Sequence, residues 1–222
     1  MGVNSKLLHW VGDYLYDRKA RVFFQGAISN EKCMELGTLK GVLSPALFNV
    51  LMNRVVKENF GRGVNITCYA DDILIQNKSM KAMHEAISRF TPLSQRLGLI
   101  INEHKTKFMC RAKTRQELHI NNQSIERVTS YKYLGVYIGY TAESKEAEID
   151  YLKTQCCARL RALKVLAWHG RGIGVPVLRI LYISTVRSLF EYASPTLSCY
   201  GDGRLEKLEK IQNQAMRFIL RW

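Results

Sequence analysis

The chain has 222 residues, 47% of them hydrophobic and 10% aromatic, enough to bury a core, so intrinsic disorder is excluded. It is long enough for one large domain or two small ones and short for a complete multi-domain enzyme. Lys and Arg number 33 against 19 Asp and Glu, a formal charge of +14, so the expected partner is densely anionic: nucleic acid first, an anionic membrane surface second.

The elements follow from periodicity. Residues 4–18 place Leu7, Leu8, Val11 and Leu15 at helical spacing, and Arg21 to Gln25 read as a strand. Gly37 to Gly41 form a loop, after which Ser44-Pro45 suits a helix start carrying Leu47, Leu51 and Val55 on one face. Val64, Ile66, Cys68 and Ala70 alternate with Asn65, Thr67 and Tyr69, the period of a half-buried strand. Asp71-Asp72 interrupt it before Ile73-Leu74-Ile75, which places the pair at the bend of a β-hairpin.

Residues 79–97 read as a helix ending at Gly98, followed by a short strand at Leu99 to Ile101, a turn at 102–105 and a strand through Phe108-Met109-Cys110. Two or three short strands are expected over 117–140. From 144 the period becomes helical: Leu152, Cys156, Leu160, Leu163 and Ala167 form a stripe, and Lys153, Arg161 and Lys164 lie within an arc of roughly 80° beside it. Pro176 opens a second helix through Phe190, and Leu205, Leu208, Ile211, Ala215 and Phe218 mark a third. The fold class is α+β, with an α+β portion at 1–140 and a basic helical portion at 141–222.

Both halves are cationic, but no acid occurs between Asp150 and Glu191 while Lys153, Arg159, Arg161, Lys164, Arg171, Arg179 and Arg187 do. That run is the candidate phosphate-facing surface, with Lys153, Arg161, Lys164 and Arg171 as its leading residues; a hydrated helix face is the blander alternative. The six cysteines include no Cys-x-x-Cys pair and fit a reducing, intracellular compartment. No 18-residue apolar run or signal-like N-terminus is present, so neither a membrane span nor secretion is expected.

Adjacent carboxylates between apolar strands repel one another, and a divalent cation relieves that repulsion. Mg²⁺ takes one or two carboxylates together with phosphate oxygens and water, which is the donor set of two-metal phosphoryl transfer. A solvated Asp-Asp turn is the alternative for the dipeptide taken alone.

Tyr69-Ala70-Asp71-Asp72 between apolar strands, preceded by Gly41-Val42-Leu43-Ser44-Pro45-Ala46-Leu47-Phe48-Asn49, resembles the reverse transcriptase domain of non-LTR (LINE-like) retrotransposons. Leu97-Gly98-Leu99 with Asn102 and Lys105-Thr106 is similar to the next block of that family, and Tyr133-Leu134-Gly135-Val136 to the one that supports the primer end. Even Glu206 to Phe218 is similar to its helical thumb.

The resemblance implies a right-hand polymerase palm with an antiparallel sheet and packed helices, followed by an all-helical thumb-like region. It implies extension of a DNA primer on an RNA template from deoxynucleoside triphosphates, with two Mg²⁺ ions. Asp71 and Asp72 become the second and third members of an acidic triad, Asp71 contacting both ions. Gly41, Ser44 and Tyr69 lie at template and incoming nucleotide, and Asn102 and Lys105 border the nucleotide. Tyr133, Leu134 and Gly135 support the primer. Asn102 also reads as a turn former, Lys105 as a solvated turn residue, and Tyr133 and Leu134 as strand core.

Two departures from the family pattern matter. The first catalytic aspartate, the fingers and the first palm strand have no counterpart, so the expectation is an N-terminally truncated reverse transcriptase that is inactive alone. Leu39-Lys40-Gly41 stands where the family usually shows Pro-Gln-Gly. The alternative is a non-catalytic nucleic-acid-binding remnant acting through the basic helices.

Overall fold

In a computed structural model, residues 4–34, 37, 41, 43–111, 116–167 and 173–220 are described. In chain order the elements are α1 (Ser5–Leu15), β1 (Lys19–Ala20), β2 (Phe23–Phe24), β3 (Ala27–Ile28), β4 (Lys32–Cys33), α2 (Leu43–Lys57), β5 (Asn65–Tyr69), β6 (Asp72–Gln76) and α3 (Met80–Arg96). Then come β7 (Lys107–Phe108), β8 (His119–Ile120), β9 (Gln123–Ser124), β10 (Glu126–Arg127), β11 (Ser130–Tyr133) and β12 (Val136–Gly139). Helices α4 (Ala142–Ala167), α5 (Val175–Tyr182), a π-helical turn (Ile183–Arg187), α6 (Ser188–Leu197) and α7 (Asp202–Ile219) complete the chain. The result is a mixture of helices and small, mainly antiparallel strand pairs; β7 with β10 is the parallel one. Two compact units form, Met1–Glu103 with Leu118–Ser124, and His104–Glu117 with Ile125–Trp222.

In the first unit, α2 aims Phe48, Met52 and Val55 inward at i, i+4, i+7, and α3 does the same with Ala86, Phe90 and Leu93. Ile66 and Cys68 of β5 and Ile73 and Ile75 of β6 close this core from the other side. The Ser79 hydroxyl accepts from the Ala82 N–H at the start of α3. At its end Gly98, at φ +69°, forms a Schellman turn: its N–H reaches Gln95 O and the Leu99 N–H reaches Ser94 O at 2.9 Å.

Two expectations need correction here. Helix α2 begins at Leu43, so Ser44 is not its cap and Pro45 sits in the first turn, where a missing N–H costs nothing. No strand forms at 99–101; Leu99 and Ile101 turn into the core while Ile100 is 93% exposed, an extended run without a ladder partner among the described residues. Helix α1 buries none of its residues, and Leu7, Leu8, Trp10, Phe23 and Phe24 are exposed.

In the second unit, Ile149, Leu152, Cys156, Leu160 and Leu163 of α4 pack with Leu178 and Tyr182 of α5, Ala193 and Leu197 of α6, and Leu208, Ile211 and Ala215 of α7. Burial pushes the Cys156 thiol up to about 12. Glu148, 1% exposed, accepts hydrogen bonds from the Thr196 and Tyr200 hydroxyls, which satisfies a carboxylate that burial otherwise penalises. The helical run that α5 begins continues past Phe190, through the π-helical turn and α6, to Leu197. A π turn displaces one carbonyl from the α pattern, and the Arg159 guanidinium donates to Thr185 O there. Arg159 therefore serves the fold instead of facing outward.

The start of α4 carries a reciprocal cap. Thr141 Oγ1 accepts from the Ser144 N–H and Ser144 Oγ accepts from the Thr141 N–H, each at 3.1 Å. Gly139, the last residue of β12, lies against this turn so closely that a Cβ there would overlap the Ser144 side chain and come 3.1 Å from Ser130 Cβ.

Candidate active-site hairpin

Strands β5 and β6 pair in register from Asn65↔Gln76 to Tyr69↔Asp72, leaving Ala70-Asp71 as a two-residue turn. Because side chains alternate, the pairs Ile66↔Ile75 and Cys68↔Ile73 face the core, and Thr67↔Leu74 and Tyr69↔Asp72 face the opposite way. Asp72 thus stands on the open face beside Tyr69, which is 64% exposed, and Asp71 sits in the turn. Both carboxylates are exposed, and among the described residues neither has a hydrogen-bond or ion-pair partner. The core side of the same strand is dry enough to raise the Cys68 thiol by desolvation.

The turn is strained. Ala70 has φ +50°, a left-handed conformation that costs an L-residue about 1–2 kcal/mol. Leu134 in the β11–β12 turn, paired Tyr133↔Val136, has φ +48° with Gly135 at +84°, the primed geometry that suits a two-residue hairpin. The other described non-glycine residues with positive φ are Asp, Asn or Gln; Ala70 and Leu134 alone among them have apolar side chains. Ala70→Gly removes the penalty, and thermal unfolding should rise by about 2–4 °C; a fall in Tm would show that the strain is absent.

The remaining candidates are dispersed. Gly41 is exposed and Ser44 lies in the first turn of α2, within the first unit. Asn102 belongs to the first unit and Lys105 to the second, both exposed in the stretch between α3 and β7. Leu39, Lys40 and Arg171 lie outside the described residues. Among the described residues no group of three or more His, Cys, Asp or Glu is placed to hold a metal; the hairpin brings two carboxylates together. Asp13 on α1 and Asp17 beyond it do not join them. A depression of about 590 Å³ lined by His84, Ser88, Thr91, His119 and Asn121 lies elsewhere in the first unit and includes neither Asp71 nor Asp72.

The sequence model of the reverse transcriptase (RNA-dependent DNA polymerase) family matches residues 1–138, more than half of the chain and the whole of this hairpin. The chain belongs to the reverse transcriptase family. No curated protein sequence matches it.

Within this reverse transcriptase chain, Lys153, Arg161 and Lys164 are exposed on α4 and have no partner among the described residues. They rise along about 16 Å of helix. Arg187, by contrast, is paired with Glu191 at 2.8 Å. Among the described residues no helix is long and apolar enough to cross a membrane. The contacts that fix the second hairpin were not readable from sequence: the Tyr192 hydroxyl donates to Leu134 O at 2.6 Å across 58 residues, and Tyr131 OH donates to Lys105 O at 3.1 Å. Isolated tyrosines on a helix and a strand carry no periodic signal that pairs them.

Proposed function

We propose that these residues form part of a reverse transcriptase of the non-LTR (LINE-like) kind, with the hairpin of β5 and β6 at the catalytic centre of its palm and α4–α7 as the thumb. The observation that carries this reading is the pair of unpartnered carboxylates, Asp71 and Asp72, on the open end of a hairpin that the family match spans. Their hard oxygen donors fit Mg²⁺, which needs only one or two protein carboxylates when substrate phosphates supply the rest.

Mg²⁺, when bound, lowers the pKa of the primer 3′-hydroxyl and balances charge on the triphosphate. Asp71 holds its oxygens at the turn, where no ladder bond restrains it, and Asp72 is fixed by its pairing with Tyr69. Tyr69 shares the open face and offers its ring to the nucleotide; Gly41 and Ser44 approach template and nucleotide. The resemblance assigns Asn102 and Lys105 to the nucleotide and Tyr133, Leu134 and Gly135 to primer support. The partners are an RNA template, a DNA primer and deoxynucleoside triphosphates, and the setting is intracellular.

The acidic triad that the resemblance implies needs a third carboxylate, and no described residue brings one to the hairpin. Primer extension should therefore be absent from this chain alone and appear when it is joined to a segment bearing that carboxylate. Failure of the joined protein to extend a primed RNA would refute the reading.

The exposed cations of α4 contact nucleic-acid backbone. Reversing Arg161 and Lys164 to Glu should weaken duplex binding at least tenfold and reduce the slope of log K against log salt by about 2, from loss of about one counterion each. An unchanged slope, measured by fluorescence anisotropy between low and moderate salt, would place the backbone elsewhere.

A further inference from the structure

A two-stranded hairpin is marginally stable by itself, so its tip gains from outside restraints. The tip of β11 and β12 has two. The Tyr192 hydroxyl, from α6, donates to Leu134 O, and the ring of the same tyrosine lies where a Cβ on Gly135 would come within 3.7 Å of its Cε1. Tyr192 thus bonds one residue of the turn and has its ring beside the other while remaining mostly exposed itself. Farther down the hairpin, Lys132 Nζ donates to Tyr151 OH of α4 at 2.9 Å and lies 4.3 Å from the centre of that ring. On the other strand Tyr137 meets Tyr151 edge to face at 5.4 Å. The hairpin is pinned along its length to the helices, and the pin nearest the turn is a single hydroxyl.

We propose that Tyr192 is a positioning residue for the primer terminus. Its hydroxyl fixes the carbonyl of the strained Leu134, so that a displacement of α6 is transmitted to the turn that supports the 3′ end. This rests on the reading of that turn as primer support and assigns to a helix of the second unit a part in it. Tyr192 does not touch the reacting atoms. It acts through Leu134, and the same hydrogen bond lets the grip on the primer end depend on where the helices lie.

The test uses the 222-residue chain and an RNA–DNA duplex whose recessed primer ends in 4-thiothymidine, crosslinked by near-ultraviolet light and mapped by mass spectrometry. Wild-type protein should crosslink at residues 133–136. Tyr192→Phe deletes one oxygen from an exposed side chain and keeps the ring against Gly135, so Tm and affinity for an uninterrupted duplex should change little. The crosslink at the turn should fall at least fivefold. An unchanged crosslink yield in Tyr192→Phe overturns the proposal while leaving the turn as primer support. Absence of the crosslink in wild type overturns the proposal by removing the reading beneath it. Loss of duplex affinity and crosslink in equal proportion also overturns it, because Tyr192 then serves binding in general instead of the primer end.

Discussion

Asp71→Asn should reduce primer extension by about 10³-fold or more in the protein joined to its third carboxylate, with primer–template affinity changed less than about threefold. A loss of that size corresponds to about 4 kcal/mol of transition-state stabilisation, which Asp71 would supply by holding the cation that balances the developing negative charge. Asn is nearly isosteric and keeps one carbonyl oxygen, so the turn at Ala70-Asp71 should persist and the variant should fold. The exposed, unpartnered carboxylate has no structural contact to lose among the described residues, which separates this prediction from a stability effect. Asp72→Asn should also impair extension, and the duplex affinity of both variants should track wild type. Extension by Asp71→Asn at more than about a tenth of the wild-type rate would remove this residue from the chemistry.

Gly139→Ala should lower stability by about 3 kcal/mol, shifting Tm by about 6–12 °C. The reason is local. A methyl at 139 collides with the side chain of Ser144 and presses on Ser130 Cβ, and Ser144 cannot yield without breaking the reciprocal cap it makes with Thr141. That cap starts α4, whose buried stripe runs from Ile149 to Leu163 through the core of the second unit. Ser144→Gly on its own should cost about 1 kcal/mol, for the loss of the bond from the Thr141 N–H and for a glycine in the first turn of α4. Combined with Gly139→Ala it should recover part of the larger loss, a non-additivity that differential scanning calorimetry can read. Simple addition of the two effects would show that the close approach is relieved some other way.

How far the sequence alone reveals this protein depends on the range of the interaction concerned. The hairpin around Asp71-Asp72 is legible because alternation over Val64 to Ala70 and the apolar run Ile73 to Ile75 are local signals, although its turn is Ala70-Asp71, one residue earlier than the expected bend, and Asp72 opens β6. The stripes of α4 and α7 are legible for the same reason: Leu152, Cys156 and Leu160, and Leu208, Ile211 and Ala215, are all buried where helical period places them. Leu99 to Ile101 misleads, since alternation sets which side chains turn inward but not whether a neighbouring strand exists to pair with. Ser44-Pro45 misleads by two residues, since proline is tolerated throughout the first turn and not only at its first position.

Of the site, Asp71 and Asp72 can be singled out from their neighbours in sequence, whereas the contacts around the second turn cannot. Tyr192 reaches Leu134 and Arg159 reaches Thr185 only through the packing of helices, and the close approach that constrains Gly139 exists only because Ser144 lies against it. Counting charge also overstates the basic surface. Arg159 is turned to a carbonyl and Arg187 to Glu191, so the cations left for a polyanion are fewer than the acid-free stretch suggests.

The most direct measurement is paramagnetic broadening of backbone amide signals by millimolar Mn²⁺, a probe for the site that Mg²⁺ occupies. The amides of residues 70–73 should broaden first, and Asp71→Asn combined with Asp72→Asn should abolish that effect without altering the rest of the spectrum. Broadening centred on other carboxylates, with residues 70–73 untouched, would contradict the assignment of this hairpin to metal-dependent chemistry.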